Sequence, residues 1–188
     1  MKKVLLSIML PVILFSLSHL ATAQAASGSL NDQLILAAGN GDTATVQQLL
    51  AQGANIEARE DAGGWTALIC AAAAGETPTV KLLLDKGANI EAKNNGGLTA
   101  LMEAAFWDFP ETVEALLARG ANIEARDNNG QTALMNSFVS GKTDVVEILL
   151  EKGANINDKD KDGNTVLSMA QSAGKTEVVK LLQQHGAH

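Results

Sequence analysis

GANIEARDNNGQTAL, running from Gly120 to Leu134, is the stretch around which the chain is built, because close copies of it lie on both sides. GANIEAKNNGGLTAL begins at Gly87, GANINDKDKDGNTVL at Gly153, and GANIEAREDAGGWTAL at Gly53 with one extra residue. A fifth start, Gly186-Ala187, stands near the end of the sequence. The threonines of the motif fall at 66, 99, 132 and 165, a strict period of 33. Self-similarity at that period predicts a solenoid, in which each unit stacks on its neighbours because it cannot bury its apolar face alone.

Between the copies the apolar residues keep helical spacing. Val46, Leu49 and Leu50 recur as Val80, Leu83, Leu84, then Val113, Leu116, Leu117, then Val146, Leu149, Leu150, each triplet on one face of a helix. At roughly 1.5 to 3 kcal/mol per fully buried aliphatic side chain, these triplets are expected to be the largest stabilising term. The fifth unit reads Val179, Leu182, Gln183, and the glutamine suits a terminal, capping unit. Thr43, Thr77, Thr143 and Thr176 are expected to cap these helices, with Pro78 in the first turn of one of them. In the first unit Asp32 stands where later units carry Thr, and an aspartate caps equally well.

A 33-residue unit that opens G-x-T-[P/A]-L, continues through small residues and a central Gly, and closes V-x-x-L-L-x-x-G-A resembles the ankyrin repeat. The resemblance covers residues 31 to 188 and implies an all-α repeat solenoid of about five stacked ankyrin repeats, each a helix-turn-helix with a β-turn finger. Repeats are expected at about 31–60, 61–94, 95–127, 128–160 and 161–188. The family's motif often places His three residues after the Thr. Here that place holds Ile69, Met102, Met135 and Ser168. With no interior histidine to titrate, little loss of stability is expected between pH 7 and pH 5.5.

The N-terminal residues differ in kind. Lys2 and Lys3 precede an apolar run from Val4 to Leu17, and Ala21-Thr22-Ala23 follows it. These are the marks of a cleaved Sec-type signal over residues 1–23, cut after Ala23 or, alternatively, after Ala25. The run is shorter than the roughly 20 apolar residues of a spanning helix, so no stable membrane insertion is expected after cleavage. Residues 24–30 read as a flexible lead-in. The pattern resembles a bacterial leader and predicts a periplasmic or secreted protein.

Composition narrows the function. The 188 residues carry 14 basic and 21 acidic side chains, a net charge of -7. Removing the two leader lysines takes this to 12 against 21, or -9. Such a charge disfavours nucleic acid and suits a basic protein partner. The single cysteine, Cys70, permits no intramolecular disulfide. After the leader, histidine occurs only at His185 and His188, and no nucleophile-base pair or phosphate-binding Gly loop is present. No enzyme, cofactor or metal is therefore expected. Cys70 lies amid alanines and reads as a small buried hydrophobe, a reactive thiol being the alternative. Asp158, Asp160, Asp162 and Gly163 match the first half of an EF-hand loop, but Met169 stands where the bidentate Glu belongs. Glu57, Glu91 and Glu124 recur at one place in the repeat and read as solvated loop charges.

Ankyrin-like stacks bind proteins through their turn tips and inner helices, at positions the fold leaves free. Before each motif Thr that place holds Trp65, Leu98, Gln131 and Asn164. At the end of the first helix the free pairs are Ala73-Ala74, Phe106-Trp107 and Val139-Ser140. The third unit is irregular, with Phe106-Trp107-Asp108-Phe109-Pro110 replacing the usual Gly by Asp108. Aromatics on a rigid surface are common binding hot spots. The competing reading turns Phe106 and Phe109 inward beside Phe138. The expected interface is Trp65, Leu98, Phe106, Trp107, Phe109 and Gln131, with Asp61 and Asp127 among the acidic fingertips that steer a basic partner to a monomeric protein. The expected role is a non-catalytic module that protects or inhibits an envelope enzyme or toxin. An envelope assembly factor, or an enzyme using Cys70, are the alternatives.

Overall fold

A computed structural model describes residues 28–188; the leader and most of the lead-in fall outside them. Ten α-helices and no strand occur among the described residues, in five consecutive pairs. The first helices are α1 (Leu30–Gly39), α3 (Ala67–Ala73), α5 (Ala100–Phe106), α7 (Ala133–Ser137) and α9 (Val166–Ser172). Their partners are α2 (Thr43–Ala51), α4 (Thr77–Asp85), α6 (Pro110–Ala118), α8 (Asp144–Glu151) and α10 (Thr176–Gln184). First helices pack on first helices in chain order and α2, α4, α6 and α8 on one another, giving two layers. The fold is the expected all-α repeat solenoid.

The motif threonine starts each inner helix. Thr66, Thr99, Thr132 and Thr165 are N-caps whose side chains accept from the N–H of Ile69, Met102, Met135 and Ser168. The first unit departs from expectation: Ser29 is the cap and Asp32 sits three residues on, completing a capping box. The outer helices correct a second expectation. Thr43, Thr77 and Thr176 are the first helical residues rather than caps, and Thr143 is at the cap without a side-chain bond. Asp42 does the capping in the first unit. The freed hydroxyls join neighbouring repeats instead, Thr43 to Thr79 at 2.9 Å and Thr77 to Thr112 at 2.7 Å. In later repeats Val145 and Val178 fill the places of Thr79 and Thr112 and are fully buried.

The core runs in columns through the stack. Leu34, Leu68, Leu101, Leu134 and Leu167 form one, and Leu49, Leu83, Leu116, Leu149 and Leu182 another, all buried. Ile69, Met102 and Met135, in the place of the family's histidine, are buried as well. The expected triplets hold only in part: Val46 and its three counterparts are fully buried, whereas Leu50, Leu84, Leu117 and Leu150 are half-buried at the edge. In the last unit Val178 and Leu182 are buried, Val179 is half-buried and Gln183 is exposed.

One inner helix is short. In α7 the Ser137 hydroxyl donates to Leu134 O and the Asn136 amide to Thr132 O, competing with the backbone ladder. Phe138 also replaces the fully buried Ala72 and Ala105 of the preceding units, and the chain tightens into a 3-10 turn over Phe138–Ser140.

Candidate binding surface

Each finger is folded by its own acceptor. Asn94 Oδ1 accepts from the N–H of Gly96 and Leu98, Asp127 Oδ1 from Asn129 and Gln131, and Asp160 Oδ1 from Asp162 and Asn164. The first finger has the extra residue, and Glu60 answers it. One methylene longer than Asn or Asp, its carboxylate reaches the N–H of Ala62, Gly63 and Trp65. Gly97 and Gly130 adopt φ of 80° and 79°, the left-handed region these turns need. Adjacent fingers are then tied backbone to backbone: Asn95 N–H to Gly63 O at 2.8 Å, Asn128 to Gly96 at 3.0 Å, and Lys161 to Asn129 at 2.9 Å.

Two further sets of rungs join the fingers. Glu57 accepts from Asn89 N–H at 2.7 Å, Glu91 from Asn122 N–H at 2.7 Å, and Glu124 from Asn155 N–H at 2.8 Å. These half-buried carboxylates are structural ties between repeats, which corrects their reading as solvated charges. The basic residue two places on runs the opposite way. Arg59 donates to Lys93 O, Lys93 to Arg126 O at 2.9 Å, and Arg126 to Lys159 O at 2.8 Å.

The expected contact residues divide into two groups. Trp65, Leu98, Gln131, Asp61 and Asp127 lie at the fingers, before the inner helices, whereas Phe106 ends α5 and Trp107 and Phe109 follow it. Finger packs on finger, and Phe109 packs on Gly75 past the end of α3, so the inner helices run parallel. A seven-residue helix rises about 10 Å, so Trp65 and Trp107 stand at opposite ends of the row and form no single aromatic patch. At the fingers, Trp65 and Leu98 are half-buried and pack against the core edge, and Gln131 is half-buried. Asp61 is exposed, but Asp127 is 9% exposed and held by its two turn N–H groups, so it is not a free fingertip charge.

The other end is the irregular one. Phe106 and Trp107 meet edge to face, ring centroids 5.0 Å apart and planes at 79°, both half-buried and neither part of the apolar core of the described residues. The inward alternative for Phe106 and Phe109 is not met: of these rings only Phe138 packs against the core of the described residues. Phe109 lies against Gly75, where a Cβ would come within 2.6 Å of its ring. Asp108 has φ 62°, where Gly41, Gly75, Gly141 and Gly174 stand in the other units. It is 7% exposed; Oδ2 pairs with Lys142 Nζ at 3.2 Å while Oδ1 is buried without a partner. Left-handed backbone at a non-glycine residue is strain of the kind that clusters at functional sites, modest here because aspartate tolerates that region better than most side chains.

Glu103, on α5, is absent from the sequence expectations. It is 3% exposed, and Asn94 of the finger donates to it at 3.4 Å. Burial pushes its carboxyl up to about 7; the indole N–H of Trp107 and the Asn94 amide pull the other way without restoring the ordinary value. That indole N–H lies beside the carboxylate, buried, without closing a well-formed hydrogen bond. A buried acid, not a histidine, thus titrates near neutrality. The signal was a column: positions 70, 103, 136 and 169 read Cys, Glu, Asn and Met, and only one of them carries charge.

Cys70 is buried, and burial, with the charges of Glu60 and Glu103, raises its pKa far above that of a free thiol. The reactive-thiol alternative is corrected accordingly, since the thiolate is the nucleophile. In the half-loop that resembles an EF-hand, Asp158 pairs with Arg126 and accepts from Asn155, and Asp160 is occupied by its turn. Among the described residues no group of three or more His, Cys, Asp or Glu is placed to hold a metal ion, and no helix is long and apolar enough to cross a membrane.

A family model described as Ankyrin repeats (3 copies) matches residues 34–127 and 122–188. No curated protein matches the chain.

Proposed function

The chain belongs to the ankyrin repeat family, and from that premise we propose that it is a non-catalytic module of the bacterial envelope that docks a basic partner protein on the aromatic corner of its third repeat. The family match indicates a protein-protein interaction module. The corner, the charge of the partner and the compartment are the added reading.

One observation carries the choice of corner. Phe106 and Trp107 pack on each other instead of on the core, and they do so where the repeat needs neither ring. Half-buried aromatics held by a rigid scaffold present contact area with little ordering cost on binding. The net charge of -7 favours a basic partner. Trp65 and Leu98, at the other end of the inner helices, belong to a second contact line along the fingers. Residues 1–23 supply the argument for export, and within the envelope the module would shield an enzyme or neutralise a toxin.

A pull-down from periplasmic extract tests this, comparing the mature chain with folded Phe106→Ala/Trp107→Ala and Trp65→Ala variants. A protein held by the parent and lost from the double variant supports the corner. Equal capture by the parent and the double variant refutes it. The mass of the periplasmic form tests export: a chain beginning at Gln24 or Ala26 supports it, and full-length protein retained in the cytoplasm overturns it.

A further inference from the structure

We propose that Glu103 is a proton-operated latch beneath Trp107, so that the aromatic corner of the third repeat takes two states according to whether that carboxyl is charged. The inference rests on the binding reading above for its biological use, but not for its physics.

The geometry is a cluster of three elements meeting at one buried acid. Glu103 is the only buried acid on an inner helix among the described residues. From the finger, the Asn94 amide donates to it across 3.4 Å, and from the helix end the Trp107 indole N–H lies beside it without a closed bond to any partner. Both donors are thus long or open, with room to tighten. Asn94 Oδ1 is already taken by the N–H groups of Gly96 and Leu98, so it has no lone pair to spare for a protonated carboxyl. Charged, Glu103 draws the indole and the amide together and clamps Trp107 to the finger. Neutral, it offers the indole a far weaker acceptor, and the ring is released from its inward position.

The groups facing this cluster leave Glu103 in control. The preceding inner helix α3 contributes Cys70, whose thiol is held protonated, and the following helix α7 contributes the uncharged Asn136. Phe138–Ser140 carries no titratable group, and Glu111 and Glu114 of α6 are exposed. Asp108 is paired with Lys142, and Glu60 is engaged in the first finger. His185 and His188 lie in the last repeat, far along the stack. With burial pushing the Glu103 carboxyl up to about 7, the two states exchange within the physiological range.

The chain has two tryptophans, so Trp65→Phe leaves Trp107 as the sole reporter. Its emission and near-ultraviolet dichroism are followed from pH 5.5 to 8.5, with far-ultraviolet dichroism confirming the fold at each point. The expected result is a single one-proton transition centred near 7, with red-shifted emission on the acid side, that disappears on adding Glu103→Gln. Glu103→Met, which copies the residue at 169, serves if the glutamine variant does not fold. A flat trace in Trp65→Phe overturns the latch without reference to either variant, as does a transition that survives the loss of Glu103. No partner is present in this measurement. A flat trace beside intact pull-down therefore rejects the latch and keeps the binding corner, and a clear transition beside failed pull-down does the reverse.

Discussion

The stability of this protein should rise as the solution is made mildly acid, and Glu103 sets the size of the effect. Its carboxyl is raised from 4.5 to about 7 by burial, so between those values the folded chain holds a proton that the unfolded chain has released. A raised folded pKa on an acid contributes stability that is complete below the unfolded pKa and is lost as pH rises through the folded one. At about 1.4 kcal/mol per pH unit the whole gap corresponds to ~3 kcal/mol, of which about 2 kcal/mol falls between pH 8 and pH 5.5. Acids with lowered pKa do not oppose it there. Asp42, held down by hydrogen bonds from the Thr45 hydroxyl and N–H, and Asp160, where burial is outweighed by hydrogen bonds from Asn164, Asp162 and Gln131, lose their contribution only in stronger acid. Urea unfolding at pH 5.5 and pH 8, with far-ultraviolet dichroism as the signal, measures the difference. The parent should unfold at a higher midpoint at pH 5.5 with an unchanged slope, and Glu103→Gln should abolish most of that shift. A parent whose midpoint is flat or falls on acidification would refute the reasoning, as would a glutamine variant that keeps the full shift.

Three other perturbations probe separate parts of the argument. Glu91→Ala removes a rung and leaves the exposed Asn122 N–H to water, so urea unfolding should show a loss of about 1 kcal/mol. The exposed Glu114→Ala should stay within about 0.5 kcal/mol, and equal losses would dismiss the rung. Asp108→Gly restores the residue found at the other four turns, relieves the left-handed strain and removes the unpaired Oδ1; a gain of ~1 kcal/mol in unfolding free energy is expected. A loss would mean that the Lys142 pair outweighs the strain. Cys70 should react with an aromatic disulfide reagent on the order of 100-fold more slowly in the native protein than in the urea-unfolded chain, and similar rates would contradict its burial.

How much of this was legible in the sequence follows from what makes a pattern. The fold was readable because its determinants repeat in phase: the threonine caps at 66, 99, 132 and 165, and the leucine columns that line up across the units. The outer-helix caps were misplaced by one residue, since Thr43 and Thr77 sit beside the true boundary and bond across repeats instead. Glu57, Glu91 and Glu124 were visible as a column, yet their partners are backbone N–H groups, which every residue possesses and no pattern marks. Asp127 looked like a free charge for the same reason. Trp65 and Trp107 were both found at positions the scaffold does not need. That they lie at opposite ends follows from one preceding its helix and the other following it. Glu103 required knowing what covers it: a carboxylate on a short helix is unremarkable until an indole and a neighbouring finger close over it.

The rungs between fingers have a consequence for how such a chain lengthens. Each carboxylate and each basic side chain meets a main-chain N–H or C=O of the next unit, so the receiving side asks nothing of the side chains there. A unit copied in tandem by a duplication in the gene would find its joints already made, with no matching second mutation. The fingertips and helix ends of the copy would then be free to drift towards a new target. The extra residue of the first finger, accommodated by lengthening one side chain to Glu60, shows how small a repair such drift requires.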